Sequence, residues 1–186
     1  MEINVNQKKI SIGDKYTIFT DGVQTHTASK GIFQLLAEIK LFKVDNPQPV
    51  ITINKRLFWI KPKYNITTWD SSVYQFRTIS FWKMYCQCQC GPATYDIYGH
   101  RGRKYSIFKN NKQVAWLTKK SVTWFNGDNY TIVADNNADA GMLTSFCLII
   151  DNWANSDGKN KGAINIDFGN LGLWAKKFDN TWQPKI

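Results

Sequence analysis

The stretch DAGMLTSFCLIIDNWAN, Asp139–Asn155, decides the fold. Its apolar residues recur at helical spacing and also fill the opposite side, so the pattern predicts a helix that is apolar all round. Such a helix must be buried on every side, and Asp139 can cap its first turn. From Gly141 to Trp153 it would be about 20 Å long, the length of a strand of about six residues.

The chain before this helix is patterned as short strands. Aromatic residues make up 15% of the sequence, and many stand beside Ile, Val and Thr, a mixture that favours half-buried sheet. Turn residues separate the runs at close spacing, with Asp21-Gly22 at the centre of a predicted hairpin and Asn110-Asn111 at another. A meander of many short antiparallel strands closes into a barrel or a sandwich, and a barrel could enclose the helix.

An internal repeat fits a barrel wall. The stretch ITINKRLFWIKPKYNI, Ile51–Ile66, has a counterpart in AWLTKKSVTWFNGDNYTI, Ala115–Ile132. We interpret each copy as one strand–turn–strand unit whose apolar residues face the same interior and whose basic pairs mark the turns. The matched positions are Lys55 with Lys119 and Tyr64 with Tyr130.

The motifs TINKRLFWIKPKYNI, LTKKSVTWFNGDNYTI and LTSFCLIIDN, in this order, resemble the LURP-one-related proteins of the tubby C-terminal-like superfamily. The resemblance covers roughly Lys15 to Trp153. It implies a mainly β protein, a closed antiparallel barrel of about twelve strands around a central hydrophobic helix. Tubby proteins bind phosphoinositides, and the related phospholipid scramblases act at membranes with calcium. Their ligand residues do not lie in the matched motifs, so the resemblance implies no site residue here.

Two parts are predicted along the chain. Residues 1–155 form the barrel, with the core helix near 140–154, and residues 156–186 form a C-terminal extension. In the extension, AINIDF predicts a short strand, and aromatic residues spaced four apart with lysines between them predict a short amphipathic helix. That helix would pack on the barrel or lie on a membrane surface. Its aromatic residues are Trp174, Phe178 and Trp182.

The net charge of +10 is concentrated in two segments. Val50–Lys63 contains four cations and no acid, and Tyr98–Lys120 contains seven cations and no acid. A focused positive field attracts lipid headgroups, nucleic acid or acidic protein, although the same charges can serve solubility alone. The predicted anion- or lipid-binding residues are Lys55, Arg56, Lys61, Lys63, Arg101, Arg103, Lys104, Lys119 and Lys120.

Three cysteines alternate with glutamines along one predicted strand. Strand periodicity places Cys86, Cys88 and Cys90 on one face, where they can pack against the helix as small apolar side chains. With His100 they could instead form a Cys₃His metal site. Structural zinc sites favour spacings that bend the ligands together, so we prefer packing and predict no metal and no other cofactor.

Nothing in the sequence predicts catalysis or a membrane span. The chain has two histidines, no nucleophile-elbow motif and no paired carboxylates, and the basic turn Gly99–Lys104 lacks the spacing of a P-loop. The N-terminal stretch MEINVNQKKI has no apolar core, and the longest apolar run, Phe146–Ile150, is far too short to cross a bilayer. These features predict a cytoplasmic protein that is not an enzyme.

The predicted function is therefore a binding module. Its basic turns would dock on anionic membrane lipid, making it a peripheral membrane protein, or on an acidic protein partner. One alternative is nucleic-acid binding, because basic and aromatic residues interleave in RLFWIKPKY as they do on base-stacking surfaces. The other alternative is a thiol or metal protein built on the cysteine-rich strand.

Overall fold

The computed structural model describes residues 1–10, 13–31, 37–56, 62–80, 84–120, 128–156 and 176–186. Within these ranges twelve strands precede one helix. The strands are β1 (Glu2–Ile10), β2 (Gly13–Thr20), β3 (Val23–Lys30), β4 (Glu38–Lys43), β5 (Pro49–Arg56), β6 (Lys63–Thr68), β7 (Val73–Ser80), β8 (Tyr85–Cys90), β9 (Ala93–His100), β10 (Lys104–Lys109), β11 (Lys112–Lys120) and β12 (Asn129–Ala134), and the helix is α1 (Ala140–Ser156). None of the described stretches provides a helix with the length and apolar character needed to cross a bilayer.

The twelve strands close into one antiparallel barrel. Each strand pairs with its neighbour in sequence, and β1 pairs with β12 to complete the wall, with Ile3 opposite Ile132. Closure removes the unpaired strand edges that an open sheet would expose. The predicted fold class is confirmed.

Left-handed backbone residues make two of the hairpin turns. Asp21 and Gly22 have φ angles of 49° and 82°, and Asn110 and Asn111 have φ angles of 48° and 66°. A two-residue turn of this kind matches the twist of the flanking strands, and Gly, Asn and Asp adopt these angles at the lowest cost. Both predicted hairpins are confirmed.

Helix α1 lies inside the barrel. The side chains of Met142–Ile150 are at most 4% exposed. The Phe146 ring packs against Phe76 on β7 and Tyr95 on β9, with ring centroids 5.8 Å and 5.3 Å apart. At the start of the helix, Asp139 Oδ1 accepts a hydrogen bond of 3.0 Å from the backbone N–H three residues later, as an N-cap does. The prediction of a helix buried on all sides is confirmed.

The barrel has two ends with different connections. At one end, which we call the basic rim, the odd-numbered strands finish and the even-numbered strands begin. At the other end, the far rim, lie the hairpins at Asp21-Gly22 and Asn110-Asn111 and the start of α1. The helix therefore runs from the far rim towards the basic rim. The strand ends at the basic rim are Ile10, Lys30, Arg56, Ser80, His100 and Lys120.

The last residues of the chain pack along the outside of the wall. Residues 176–186 form neither helix nor strand. The Phe178 ring lies against His100 on β9 and Trp116 on β11, with centroid distances of 5.2 Å and 6.4 Å. This segment covers the outer face of β9, β10 and β11.

The amphipathic helix predicted for the extension is wrong for its described part, residues 176–182. Contacts with the barrel determine the path of this segment instead. The backbone N–H of Lys185, for example, donates a 2.7 Å hydrogen bond to the carboxylate of Asp135. Trp174 and the predicted strand AINIDF lie outside the described residues.

Candidate functional site

Barrel topology brings the predicted binding residues to one end of the molecule. The two acid-free segments come from different sectors of the wall, yet those predicted cations that the structure describes lie at the basic rim in both cases. Lys61 and the side chain of Lys120 lie outside the described residues. Of the others, Lys55 and Arg56 end β5, Lys63 begins β6, Arg101 and Arg103 lie in the β9–β10 turn, Lys104 begins β10, and Lys119 lies near the end of β11.

Three cations form a row on the outer wall next to the basic rim. Strand register places Arg56 opposite Lys63, and Lys63 opposite Arg77, across β5, β6 and β7. Side chains in such positions have Cβ atoms about 4.5–5.5 Å apart. Arg56 and Arg77 are exposed, and Lys63 is half-buried. Like charges directly opposite each other destabilise a sheet, so an anion held in front of this cation row would relieve the repulsion.

Several rim cations are not among the predicted residues. Lys30, at the end of β3, pairs with Asp14, and the others include Arg77, Lys8 and Lys15. Arg77 is isolated in sequence and joins the cation row only through strand register. Lys8 and Lys15 lie opposite each other on β1 and β2, and both are exposed. These pairs can be recognised only when the register of neighbouring strands is known, and counting charges along the sequence does not reveal that register.

Lys119 and Lys104 are among the predicted cations that make contacts within the protein. Lys119 points inward, where its Nζ contacts the Asp128 carboxylate at 2.5 Å and lies 5.4 Å from the centre of the Tyr130 ring. Lys104 Nζ lies 5.0 Å from the centre of the Phe178 ring. These two side chains stabilise the barrel and its C-terminal segment.

A buried polar cluster lies inside the barrel below the basic rim. The Asp151 carboxylate accepts hydrogen bonds from the Tyr130 hydroxyl at 2.5 Å, the Tyr16 hydroxyl at 2.7 Å and Gln7 Nε2 at 3.2 Å. All four residues are at most 6% exposed. Burial raises the pKa of Asp151 above its usual range, although the two hydroxyls act in the opposite direction. Burial also raises the pKa of both tyrosines. The cluster anchors α1 to β1, β2 and β12.

The sequence repeat places equivalent tyrosines on opposite sides of α1. Asn152 Nδ2 donates a 3.0 Å hydrogen bond to the Tyr64 hydroxyl, next to the contact between Asp151 and Tyr130. The strands that carry these tyrosines, β6 and β12, are six strands apart in the closed wall of twelve. The repeat is therefore a structural unit that occurs twice, with its two copies on opposite sides of the barrel. The cross-strand partners of the tyrosines are the matched lysines, Lys55 for Tyr64 and Lys119 for Tyr130.

The model of the LURP-one-related family matches residues 1–151. The chain belongs to the LURP-one-related family. The matched region of this LURP-one-related protein contains all twelve strands and ends at Asp151, the residue that anchors α1. No match to the chain was found among curated proteins or among solved structures.

The cysteines of the LURP-one-related barrel face its interior, whereas His100 lies on its outer face. Cys86 and Cys88 are 4% and 0% exposed, and Cys90 is half-buried. His100 Nε2 lies 2.5 Å from Ser106 Oγ, and burial lowers the pKa of His100 to about 4. The described residues contain no group of three or more side chains placed to hold a metal. The Cys₃His alternative is therefore wrong, because the wall separates the imidazole from the thiols.

Proposed function

We propose that this LURP-one-related protein is a non-enzymatic binding module that docks on anionic membrane lipid through its basic rim. The observation that carries the proposal is the cation row of Arg56, Lys63 and Arg77 on three adjacent strands. Arg101 and Arg103, both exposed in the β9–β10 turn, extend the positive charge along the same rim. Each basic residue near an anionic leaflet contributes about 1 kcal/mol, so the cation row contributes about 3 kcal/mol.

The far rim carries charges of both signs. Asp21, Asp45 and Asp70 are exposed in its hairpins, and so are Lys43 and Lys112 at its strand ends. Trp69 is 81% exposed beside Asp70. The cation row, which contains no acid, would therefore direct the basic rim towards a negative surface. The far rim would then face away from the membrane.

A flat anionic surface suits the arrangement better than a compact ligand does. The cations occupy separate sectors of the rim, with Lys8 and Lys15 on β1 and β2, the cation row on β5 to β7, and Arg101 after β9. A membrane can contact several sectors at once, whereas a small anion can contact one. Nucleic-acid binding stays a prediction. Of the aromatic residues of RLFWIKPKY on which it depends, Tyr64 is buried inside the barrel, and Phe58 and Trp59 lie outside the described residues.

Vesicle co-sedimentation over a series of salt concentrations tests the proposal. The full chain should sediment with vesicles that contain phosphatidylserine and stay in solution with pure phosphatidylcholine. Binding should weaken as the Debye length falls from about 10 Å at 0.1 M salt to about 3 Å at 1 M. Equal binding to both vesicles, or binding to neither, contradicts the proposal. A single-stranded oligonucleotide or polyglutamate that binds when anionic vesicles do not would identify the alternative partner.

A further inference from the structure

We propose that Cys88 and Cys90 form a two-thiolate site for a soft metal or metalloid ion, separate from the basic rim. Their Sγ atoms are 3.5 Å apart on the inner face of β8. Thiolate sulfurs lie about 2.3 Å from a bound zinc ion. At this separation, an ion at a similar distance from both sulfurs would make a bent S–ion–S angle.

The position of the pair gives it access to solvent from the far rim. Cys90 is the last residue of β8 and is half-buried, whereas Cys88 is fully buried one step further inside. The β8–β9 turn follows at once, with Gly91 in the left-handed region at φ 57°. An ion can therefore meet the outer sulfur first and reach the inner sulfur next.

The two thiols have different acidities. The hydrogen bond from Cys88 lowers the pKa of Cys90, and nearby Lys109 acts in the same direction, while burial and Asp139 oppose it. The same hydrogen bond, together with burial, raises the pKa of Cys88. Cys90 is therefore the thiol that ionises first and attacks an incoming ion. Cys88 releases its proton when the second bond forms.

Geometry favours a chelated ion over a disulfide or a zinc site. Residues two apart on a strand have Cα atoms about 6.5–7 Å apart, at the upper limit of about 6.8 Å for a disulfide. Structural zinc takes four ligands, and the described residues provide no group of three candidate ligands. Soft ions that accept two or three thiolates remain, and Cu(I) and trivalent arsenic are of this class.

Phenylarsine oxide is the probe for this site. Two As–S bonds form and the As–O bond breaks, while the oxygen leaves as water with the two thiol protons, so no oxidant is needed. Reduced full-length protein should bind one equivalent and lose two of its four free thiols, measured by intact mass and by thiol titration. A dithiol should reverse the adduct, and an excess of a monothiol should not. Reversal by a monothiol would overturn the proposal.

Replacing one cysteine at a time locates the site. Cys90→Ser and Cys88→Ala should each weaken capture about 100-fold, because chelation by two groups exceeds binding by one by at least that factor. Cys86→Ala is the matched control on the same strand, where burial raises the pKa of the Cys86 thiol to about 12, and it should capture as the wild type does. If Cys88→Ala does not fold, Cys90→Ser at the half-buried position decides alone. Unchanged capture by Cys90→Ser, or lost capture in Cys86→Ala, would reject the site.

Adding Cu(I) under anaerobic conditions shows whether the site binds a soft metal ion as well as a metalloid. Protection of the same two thiols from phenylarsine oxide shows that the site accepts a soft metal. Arsenical capture that Cu(I) does not prevent restricts the site to metalloid ions. If the protein neither captures phenylarsine oxide nor shows protection by Cu(I), the proposal is overturned. Because none of these readouts involves lipid, their failure leaves the proposed docking function unaffected.

Discussion

Tyr64 and Tyr130 hold α1 from opposite sides of the barrel through two adjacent helix residues. Asn152 donates to the Tyr64 hydroxyl at 3.0 Å, and the Tyr130 hydroxyl donates to Asp151 at 2.5 Å. The two tyrosines occupy matched positions in the sequence repeat, on strands six apart in the wall. One local design, used twice, thereby fixes how far the helix enters the barrel and how it is rotated.

The two tyrosine contacts should differ in strength. Tyr130→Phe removes a hydrogen bond to a carboxylate, and such bonds contribute about 1.5–3 kcal/mol. Tyr64→Phe removes a bond between neutral groups, which contributes about 1 kcal/mol. Urea unfolding followed by circular dichroism at neutral pH should show the larger loss of unfolding free energy for Tyr130→Phe. A larger loss for Tyr64→Phe would contradict this account of the anchor.

The buried carboxylate should make stability depend on pH. Burial raises the folded-state pKa of Asp151 above its unfolded value of about 3.9, so ionisation favours the unfolded chain. The contribution of Asp151 to stability is therefore present at low pH and decreases as the pH rises from the unfolded pKa through the folded pKa. The unfolding free energy of Asp151→Asn minus that of the wild type should rise over this window and then level off. A flat or falling difference between about pH 4 and pH 8 would show that the folded-state pKa is not raised.

The first turn of α1 should depend on its cap. Asp139→Ala removes the acceptor for the backbone N–H at the third helical position and should cost about 1 kcal/mol of unfolding free energy. Asp139→Ser keeps a side-chain acceptor and serves as the control, with a smaller loss. Equal losses in the two variants would mean that the hydrogen bond is not what Asp139 contributes.

The C-terminal segment should control the titration of His100. Burial beneath Phe178 lowers the pKa of His100 to about 4, so Phe178→Ala should raise it towards the ordinary value of about 6.5. The chain has only two histidines, and NMR titration resolves them easily. His26, whose pKa is lowered by burial and by Lys43, is the internal control and should not change. An unchanged pKa of His100 would show that Phe178 does not exclude water from it.

The same lowered pKa sets the direction of an effect on stability. Because His100 binds a proton less tightly in the folded state, its contribution to stability is lost as the pH falls below about 6.5 and through about 4. Phe178→Ala should remove most of this acid sensitivity. Urea unfolding of both proteins in mildly acidic buffers measures it.

The repetitive and strongly patterned parts of the fold can be predicted from the sequence. The all-round apolar helix, the hairpin turns and the repeat each have a local physical cause, namely periodicity or the backbone freedom of Gly and Asn. Register is not local, which is why the position of Arg77 in the cation row and the pairing of Lys119 with Asp128 emerge only in three dimensions. The predicted helix near Phe178 is wrong because contacts with the barrel wall outweigh a weak spacing pattern.

Matched charge variants at the two ends of the barrel test the central claim most directly. The rim variant carries Arg56→Gln, Lys63→Gln and Arg77→Gln, and the control variant carries Lys43→Gln, Lys112→Gln and Lys185→Gln, three exposed residues away from the basic rim. Both variants lose the same net charge. In co-sedimentation with phosphatidylserine vesicles, the rim variant should lose about 3 kcal/mol of binding free energy, about 100-fold in affinity, while the control variant stays close to the wild type. Equal losses in the two variants would show that binding follows net charge alone and would contradict docking through the basic rim.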